Sequence, residues 1–348
     1  MKAYVLYGIN DFRLETVPDP IPDEDEVIVE VKAAGICGSD IPRIYETGAH
    51  IHPLVPGHEF SGVVTKLGRR VDPQWQGKRV GVFPLIPCGT CTQCQKKQYE
   101  MCRNYNYLGS RRDGGFAEFA AVPADNLIAL TENVSFEEAA MLEPMAVAVH
   151  AMRRVCPKQH ETIAVCGLGT IGLLLLMFLR EAGIEHILAI GNKDFQKNKV
   201  YQMGIGEKNY CDYREKNVGQ WLMERTCGQG ADIFFECVGK NETYIQSVSN
   251  TAPGGRIMLM GNPYSDMELE KSVYWKLLRN QLTVMGTWNS SFNHDVQDDW
   301  HYVLERLEQK QITPATLISH RFSHHRLEQG FSIMRDKTED YVKIMGIM

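Results

Sequence analysis

The sequence predicts an α/β protein in which a parallel, doubly wound sheet is joined to an all-β region of barrel-like character. Three observations lead to this prediction. Short strand and turn patterns fill the chain up to about residue 130, and apolar strands alternate with helices from residue 161. A glycine motif, Gly167-x-Gly169-x-x-Gly172, stands between the first strand and the first helix of the second region. The length of 348 residues allows two domains, each with its own core.

The strands of the first region are predicted from alternating polarity. In "EVIVEVKAAGIC" the side chains of Val27, Val29 and Val31 face one side, and those of Glu30 and Lys32 face the other. The segments "FSGVVTKLG", "KRVGVFPLI" and "GGFAEFAAV" repeat this pattern between glycines. Half-buried strands of this kind predict an antiparallel barrel-like sheet.

A helical segment follows, and it begins at Ser135. The run "SFEE" forms a capping box, with Ser135 as N-cap and Glu138 at the third helical position. The helix should break before Pro144, a residue suited to the first turn of a new helix. Glu143 is therefore predicted at a junction between two helices.

The second region alternates strands and helices, with the clearest helix starting near Thr170. Five strands are predicted, at residues 163–166, 186–190, 233–238, 256–260 and 282–286. This alternation indicates a parallel sheet with helices on both faces. After Gly286 the pattern ends, and the last sixty residues are expected to fold back on the first domain. We therefore predict a first domain at 1–150 with a cysteine lobe at 88–102, a second domain at 151–286, and a return segment at 287–348.

The glycine motif predicts a dinucleotide site of the Rossmann type. Its glycines permit a tight turn and let the backbone around Thr170 and Ile171 approach a pyrophosphate at the helix N-terminus. The alternative is a glycine-rich turn in another α/β domain. The strand that precedes the motif and the helix that follows it favour the dinucleotide site.

The end of the second strand bears on the choice of cofactor. A carboxylate is expected there to bind the ribose hydroxyls of NAD, but the chain has Gly191, Asn192 and Lys193. Without a carboxylate, nothing repels a 2′-phosphate, and Lys193 offers it a positive charge. The residues therefore favour NADP over NAD.

Four of the ten cysteines lie within the segment "CGTCTQCQKKQYEMC", at Cys88, Cys91, Cys94 and Cys102. Four thiolates can close a tetrahedral zinc shell with no open position, which is typical of a structural site. An iron–sulfur cluster also takes four thiolates and remains an alternative. Disulfides require an oxidising compartment.

The compartment and partners follow from composition. The N-terminal residues show no signal-peptide pattern, and the longest uncharged stretch, 163–179, falls short of a membrane span. We therefore expect a cytoplasmic protein without membrane partners. The net charge of −6 also argues against a general affinity for nucleic acid.

A second group of metal-binding residue types lies near the end of the first long strand and just beyond it. Cys37 stands in "AGICGSD", and His58 and Glu59 stand in "PGHEF". A thiolate, an imidazole and carboxylates are the ligands of zinc sites that keep one position open. A lone cysteine and histidine are more often core residues, so this pattern alone does not decide.

Six motifs occur together and in order: "GICGSD", "PGHEFSG", the four-cysteine lobe, "DGGFAEF", the "EP" at Glu143, and "GLGTIG". In this combination the chain resembles the zinc-dependent medium-chain dehydrogenases over essentially its whole length. The stretches "CGSDIPRIYETGAHIHPLVPGHEFSG" and "GSRRDGGFAEF" are most similar to the polyol dehydrogenase branch, including members that act on polyol phosphates. The resemblance implies a GroES-like β-barrel catalytic domain, a Rossmann domain and an active site in the cleft between them.

The resemblance also implies roles for individual residues. Two zinc ions per chain are expected: a structural ion held by the four cysteines of the lobe, and a catalytic ion held by Cys37, His58 and Glu143. Glu59 would approach the catalytic ion directly or through water. Ser39 is expected to begin a proton relay, although it is equally suited to cap the turn that follows.

The expected reaction is oxidation of a secondary hydroxyl of a polyol phosphate to a ketose phosphate, with hydride transfer to NAD(P). Candidate substrate-binding residues are Arg43, Arg111, Arg112, Trp288 and Asn289. Alternatives are an unphosphorylated polyol, a sugar acid or L-threonine as substrate, and a non-catalytic dinucleotide sensor. A homodimer or homotetramer is expected.

Overall fold

The computed structural model describes residues 1–348, which form seventeen strands and eleven α-helices. The strands are β1 (Lys2–Gly8), β2 (Asp11–Thr16), β3 (Glu26–Ile36), β4 (Glu59–Leu67), β5 (Arg79–Val82), β6 (Leu85–Ile86), β7 (Asn106–Tyr107), β8 (Phe119–Pro123), β9 (Leu127–Ala129), β10 (Thr162–Cys166), β11 (His186–Gly191), β12 (Tyr210–Asp212), β13 (Ala231–Glu236), β14 (Thr251–Leu259), β15 (Thr283–Gly286), β16 (Ile318–Ser323) and β17 (Lys343–Ile347). The helices are α1 (Asp40–Tyr45), α2 (Thr92–Gln95), α3 (Phe136–Ala140), α4 (Leu142–Val155), α5 (Thr170–Glu181), α6 (Asp194–Gln202), α7 (Val218–Arg225), α8 (Asn241–Asn250), α9 (Lys271–Arg279), α10 (Asp299–Glu308) and α11 (Leu327–Asp336).

The chain forms two compact units. The first contains residues 1–146 and 290–348, and the second contains residues 147–289. From the sequence, we placed the divisions after residues 150 and 286. Both units combine strands and helices, and the α/β class predicted from the sequence is confirmed.

The first unit is built on a seven-stranded sheet in the order β16-β17-β3-β4-β5-β9, with β8 also paired to β3. The valines of β3 that the sequence placed on one face, Val27, Val29 and Val31, are buried in the core of this unit. The segment after residue 290 supplies β17, which pairs antiparallel with β3 so that Ile344 lies opposite Ile36. This pairing brings Lys343, at the start of β17, to the end of β3, where Cys37 follows.

The helical junction at Glu143 forms as predicted. Ser135 caps α3: its hydroxyl accepts the backbone N–H of Glu138 at 3.2 Å, and the Glu138 carboxylate accepts the N–H of Ser135 at 3.0 Å. The break predicted before Pro144 is confirmed, since α3 ends at Ala140 and Pro144 lies in the first turn of α4. Glu143 therefore lies in the first turn of α4, next to the junction with α3.

The second unit is built on a six-stranded parallel sheet in the order β12-β11-β10-β13-β14-β15. The five predicted strands correspond to β10, β11, β13, β14 and β15. The edge strand β12 was not predicted, because its three residues are too few to show a period. The buried core of the unit includes Ala164, Leu188, Phe234 and Ile257, one from each of four strands.

None of the helices combines the length and apolar character needed to cross a membrane.

Candidate functional site

The four cysteines of the lobe converge on one point. Cys91 is the N-cap of α2 and Cys94 lies within this helix, and their sulfur atoms lie 3.5 Å apart. The sulfur of Cys88 lies 3.9 Å from that of Cys94, and the sulfur of Cys102 lies 4.0 Å from that of Cys91. These separations exceed the ~2 Å of a disulfide bond, and all four thiols are free.

The lobe fits a single tetrahedral ion. With zinc–sulfur bonds of ~2.3 Å, tetrahedral geometry places the sulfur atoms ~3.8 Å apart, which matches the observed separations. An iron–sulfur cluster contains several metal atoms and holds its thiolates farther apart, so the geometry favours zinc over that alternative. Hydrogen bonds from Thr90 lower the pKa of the Cys88 thiol to about 5, which favours the thiolate that a metal requires. Burial raises the pKa of Cys94 to about 12, a cost that bonding to a cation offsets.

A second group of potential ligands lies at the end of β3. The ligand atoms of Cys37, His58 and Glu59 all lie within 4.8 Å of one another. His58 and Glu59 are buried, with 4% and 2% of their surface exposed, and Cys37 is partly accessible. A thiolate, an imidazole and a carboxylate around one accessible point fit a zinc ion with an open position.

Glu143 borders this group from the first turn of α4. Its side chain accepts a hydrogen bond from the Tyr107 hydroxyl at 3.2 Å, and the ring of Tyr107 packs 5.8 Å from that of His58. Burial raises the pKa of Glu143 to about 7, and the negative charge of Glu59 adds to the effect. A buried carboxylate that lacks a cationic partner at ion-pair distance suits a bound cation. Tyr107 was not identified from the sequence, which contains fourteen tyrosines and no signal to separate this one.

Asp40 organises the same site from the first turn of α1. It accepts the backbone N–H of Cys37 at 3.0 Å and lies 3.5 Å from Nδ1 of His58. Although burial disfavours a charged imidazole, Asp40 and Cys37 hold the pKa of His58 well above its usual value. A metal ion bound by His58 would replace the extra proton of the charged imidazole, because a ligating imidazole is neutral.

Lys343 is a site residue that the sequence analysis missed. Its side chain is only 1% exposed, it donates to the carbonyl of Ile36 at 2.9 Å, and it forms an ion pair with Glu59. Gly35 leaves room for the pair, since a Cβ atom there would lie 2.5 Å from the Glu59 carboxylate and 2.6 Å from Cε of Lys343. A lysine near the end of the chain carries no signal of burial; only the pairing of β17 with β3 brings it to Glu59.

Ser39 does not cap the helix that follows it. Its hydroxyl makes no capping hydrogen bond to α1 and instead donates to the sulfur of Cys37 at 3.3 Å. The hydroxyl therefore lies beside the candidate ligand group, a position compatible with the relay role expected from the sequence.

The three candidate arginines have different surroundings. Arg43 donates to Asp40 at 2.5 Å, so it is anchored beside the ligand group. The guanidinium of Arg111 stacks 4.7 Å from the ring centre of Tyr105. That of Arg112 instead forms a 2.7 Å ion pair with Glu26, whose side chain is 8% exposed. Arg112 therefore has a structural partner that satisfies its charge.

In the second unit, the glycine motif has the geometry of a phosphate cradle. Gly167 has φ of +97°, which favours glycine, and a Cβ at Gly172 would lie 1.9 Å from the carbonyl oxygen of Gly167. A Cβ at Gly169, the N-cap of α5, would meet nothing within 4 Å. This open space in front of a twelve-residue helix fits a dinucleotide pyrophosphate. Thr170 and Ile171 form the first turn of the helix.

The carboxyl end of β11 carries more charge than the sequence suggested. Gly191 lies opposite Asp212 of β12, and Arg214 links Asp212 to Asp194 through hydrogen bonds of 2.9 Å and 2.7 Å. Asn192 and Lys193 lie between Gly191 and the start of α6, and the Lys193 ammonium stacks 5.4 Å from the ring of Phe195. Two carboxylates, those of Asp194 and Asp212, therefore lie near Gly191, but both are hydrogen-bonded to Arg214.

Gly191 has a packing role as well. A Cβ there would lie 2.8 Å from Leu168 and 3.0 Å from the hydroxyl of Tyr210, which is buried and lacks a hydrogen-bond partner. Substituting Gly191 would therefore disturb packing as well as charge. Lys193 offers a cleaner test of the cofactor preference.

Trp288 and Asn289 close the second unit. Trp288 is 58% exposed, and Asn289 has φ of +54° with a buried side-chain nitrogen that lacks a partner. The exposed indole of Trp288 and the unsatisfied amide of Asn289 are both available to a ligand. Their roles in substrate binding stay a prediction.

Known protein families match segments in both units. The alcohol dehydrogenase GroES-like domain matches residues 23–132, and the zinc-binding dehydrogenase domain matches residues 170–309. Galactitol 1-phosphate 5-dehydrogenase of Escherichia coli (strain K12) is 33% identical over 320 residues, covering 91% of each chain. The chain belongs to the zinc-dependent medium-chain dehydrogenase family.

A second relative and a solved structure extend the comparison. Sorbitol dehydrogenase of Bacillus subtilis (strain 168) is 29% identical over 293 residues, covering 82% of this chain and 81% of that protein. The crystal structure of galactitol-1-phosphate dehydrogenase from Escherichia coli superposes with a TM-score of 0.92 at 31% identity, covering all of both chains.

Solved relatives with bound cofactor hold either nucleotide. A zinc-binding dehydrogenase from Sinorhizobium meliloti 1021, solved with NADP, has a TM-score of 0.90 at 27% identity and covers 100% of this chain and 99% of its own. An alcohol dehydrogenase from Escherichia coli CFT073, solved with NADH, has a TM-score of 0.91 at 26% identity with the same coverage. This medium-chain dehydrogenase is thus an oxidoreductase of the NAD(P)-dependent polyol and alcohol class, with the GroES-like and Rossmann domains predicted from its sequence.

Proposed function

We propose that this protein oxidises a secondary hydroxyl of a polyol phosphate to the ketose phosphate and transfers the hydride to NAD(P). The observation that carries the proposal is a pair of arginines linked to the ligand group: Arg43 is anchored to Asp40, and Arg111 is stacked on Tyr105, whose ring packs 6.2 Å from that of Tyr107. The likeness to galactitol 1-phosphate 5-dehydrogenase supports the phosphate, and the likeness to sorbitol dehydrogenase keeps the free polyol as the competing substrate. L-threonine 3-dehydrogenase of Bacillus subtilis is 30% identical over 92% of this chain, so L-threonine belongs in the same test.

Two zinc ions fit the donor sets of this chain. The lobe cysteines would hold one ion. Cys37 and His58 would hold the other together with Glu143, which borders them; Glu59, whose carboxylate the structure groups with Cys37 and His58, is a further carboxylate that is already paired with Lys343. A zinc ion held by the second set would lower the pKa of a substrate hydroxyl toward neutrality. The complete donor set argues against a non-catalytic dinucleotide sensor, which would not require an open metal position.

The residues of the chain supply the rest of the reaction. Ser39 accepts the proton of the substrate hydroxyl and passes it toward solvent, in keeping with the position of its hydroxyl 3.3 Å from the Cys37 sulfur. Tyr107 donates to Glu143 and fixes that carboxylate in one orientation. Asp40 orients His58 and anchors Arg43 at the same time.

We propose NADP as the preferred cofactor. Gly191 removes the carboxylate that would repel a 2′-phosphate, and Lys193 and Arg214 add positive charge at the same edge of the sheet. Asp194 and Asp212 share Arg214 and oppose this effect, so the preference should be modest. Substituting Lys193 by alanine should lower kcat/KM with NADP more than with NAD. A tenfold or greater preference of the wild-type enzyme for NAD would contradict the proposal.

A substrate panel tests the proposed function directly. The zinc-loaded enzyme is assayed with galactitol 1-phosphate, galactitol, sorbitol and L-threonine, each with NAD and NADP. We expect kcat/KM for the phosphate ester to exceed that for the free polyols by tenfold or more. This is the size expected for at least one charge-assisted contact of roughly 1.5–3 kcal/mol. Equal turnover of galactitol and its phosphate, or preferred turnover of L-threonine, would refute the polyol phosphate as substrate.

A further inference from the structure

We infer that Glu236 is a positioning residue for the nicotinamide half of the cofactor, because it fixes two loops at the carboxyl edge of the sheet in the second unit. Glu236 is the last residue of β13, and no motif of the sequence distinguished it. The inference rests on the use of NAD(P) in the proposed function. It depends neither on the polyol phosphate nor on the choice between NAD and NADP.

The order of the strands defines where a dinucleotide lies on this sheet. β10 is the first strand along the chain; β11 and β12 lie on one side of it, and β13, β14 and β15 lie on the other. A parallel sheet of this kind binds a dinucleotide at the carboxyl ends of its strands, across the point where the strand order reverses. With the pyrophosphate at the glycine motif after β10 and the adenosine ribose at the end of β11, the nicotinamide half extends over the loops that follow β13 and β14.

The carboxylate of Glu236 is buried without a cation. Glu236 is only 2% exposed, and its partners are hydrogen-bond donors rather than basic side chains. Its Oε1 atom accepts the N–H groups of Val238 and Gly239 at 2.8 Å and 2.9 Å, and the hydroxyl of Thr243 in the first turn of α8 at 2.8 Å. Such bonds offset the cost of burying a charge, and the nearby helix N-terminus favours an anion. The carboxylate therefore ties the loop after β13 to the start of α8.

The backbone of Glu236 fixes the second loop. Its carbonyl oxygen accepts the N–H groups of Met260 and Gly261, just after β14, at 2.8 Å and 3.0 Å. The two loops pack without room for a side chain: a Cβ at Gly239, where φ is +84°, would lie 1.9 Å from the carbonyl oxygen of Asn262. A shift of the first loop would therefore displace the second.

The first loop also contacts the glycine motif. The N–H of Cys237 donates to the carbonyl of Cys166 at 2.8 Å, and a Cβ at Gly167 would lie 2.6 Å from the side chain of Val238. The loops that follow β13 and β14 are thus continuous with the phosphate cradle. Glu236 acts on the cofactor through these loops, since its own carboxylate is used by backbone and hydroxyl donors.

The direction of the effect separates positioning from simple electrostatics. The cofactor is an anion, so loss of a nearby negative charge would by itself strengthen its binding. Glu236→Gln removes the charge, but it also replaces one acceptor oxygen with an amide NH₂ that cannot accept the second, 3.1 Å hydrogen bond from the N–H of Gly239. Weaker hydrogen bonds should loosen the loop and weaken cofactor binding. The two effects therefore have opposite signs.

Binding of NADH and NADPH to the zinc-loaded enzyme tests the inference by fluorescence titration, with calorimetry of ADP as a probe that lacks the nicotinamide half. We expect Glu236→Gln to raise the Kd of both reduced cofactors by about tenfold, and the Kd of ADP by less than about twofold. Glu242→Gln, which removes an exposed carboxylate from the first turn of α8, is the matched control and should change neither. Thr243→Val should raise the Kd of NADH in the same selective way, and Thr243→Ser, which keeps the hydroxyl, should not.

The outcomes separate this inference from the proposed function. A wild-type enzyme that binds neither cofactor would refute the proposed use of NAD(P). If the wild type binds them and Glu236→Gln binds them equally well or more tightly, only the role of Glu236 fails. An equal loss of ADP and NADH binding would show that Glu236 supports the fold of the unit, which would also overturn the inference. If Glu236→Gln does not fold, Thr243→Val decides: a selective loss of NADH binding supports the inference, and unchanged binding overturns it.

Discussion

At the scale of single residues, Glu59 has two possible partners. It lies within the ligand group of Cys37 and His58, and it is paired with the buried ammonium of Lys343. A buried ion pair is costly to assemble, but removing one partner leaves an uncompensated charge in the protein interior. Lys343 therefore restrains Glu59, whereas Glu143 has only the Tyr107 hydroxyl as a hydrogen-bond partner. This difference supports Glu143 as the carboxylate ligand of a catalytic zinc ion.

Substitution of Lys343 by methionine tests this restraint. The variant should lose about 3–5 kcal/mol of unfolding free energy, because the Glu59 carboxylate would stay buried without its cation. Denaturant unfolding of the zinc-loaded protein measures the loss. The double variant Lys343→Met with Glu59→Gln should recover part of it, since it buries no unpaired charge. A single variant as stable as the wild type would contradict the structural role of the pair.

Substitution of Glu143 by glutamine tests the ligand assignment. The amide keeps the size and the contact with Tyr107 but binds zinc poorly, so dialysis should remove one of two zinc ions more readily than from the wild type. Metal analysis measures the zinc, and fluorescence titration should show nearly unchanged cofactor binding. Glu132→Gln, at an exposed position before α3, provides a matched control. Unchanged zinc retention in Glu143→Gln would make Glu59 the better candidate ligand.

At the scale of elements, the cysteine lobe is small and depends on its ligands. It contains the two-residue strands β6 and β7 and the four-residue helix α2. Elements this short bury too little apolar surface to fold alone, so a bound ion would provide much of their stability. The lobe belongs to the first unit but none of its cysteines lies in the group around Cys37.

Substitution of Cys88 by serine should therefore unfold the lobe. We expect lower solubility, a lower Tm and about one zinc ion per chain after purification. Cys37→Ser serves as the matched comparison: it should also lose one zinc ion, but with little change in Tm, because strand β3 is supported by the core of the first unit. Visible absorbance from iron in the wild-type protein would contradict zinc in the lobe.

At the scale of the whole molecule, apolar side chains are exposed along one edge of the second unit. Strand β15 is an edge of the six-stranded sheet, and Val284 on it is 39% exposed. Helix α9 exposes Tyr274, Trp275 and Leu278 by 45–53%. An open, apolar strand edge favours pairing with another strand. A second copy of the chain offers the same edge, and two such edges can pair antiparallel about a two-fold axis.

The predicted homodimer or homotetramer is expected to use this edge. Val284→Lys should shift the protein toward monomers in light scattering, because equivalent lysines would face each other across the axis. Val296→Lys is the matched control, since Val296 is 80% exposed and belongs to the first unit. A wild-type protein that is monomeric at micromolar concentration would contradict the predicted assembly.

Patterns that depend on neighbouring residues were predictable from the sequence. The capping box at Ser135, the break at Pro144 and the strand that precedes Gly167 all follow from local preferences. The short strand β12 escaped prediction because three residues show no period. Asp212 and Arg214, which change the charge around Gly191, therefore escaped as well.

The sequence by itself determined the fold class, the metal-binding residue types and the glycine cradle, because each depends on residues close together in the chain or on motifs of fixed spacing. Only the tertiary structure decided which charged and polar side chains contact one another. It paired Lys343 with Glu59 across more than 280 positions, placed Tyr107 against Glu143, and gave Arg112 but not Arg111 a carboxylate partner. Burial and charge pairing act through space, so residues of the same type with the same local sequence can differ completely in their surroundings.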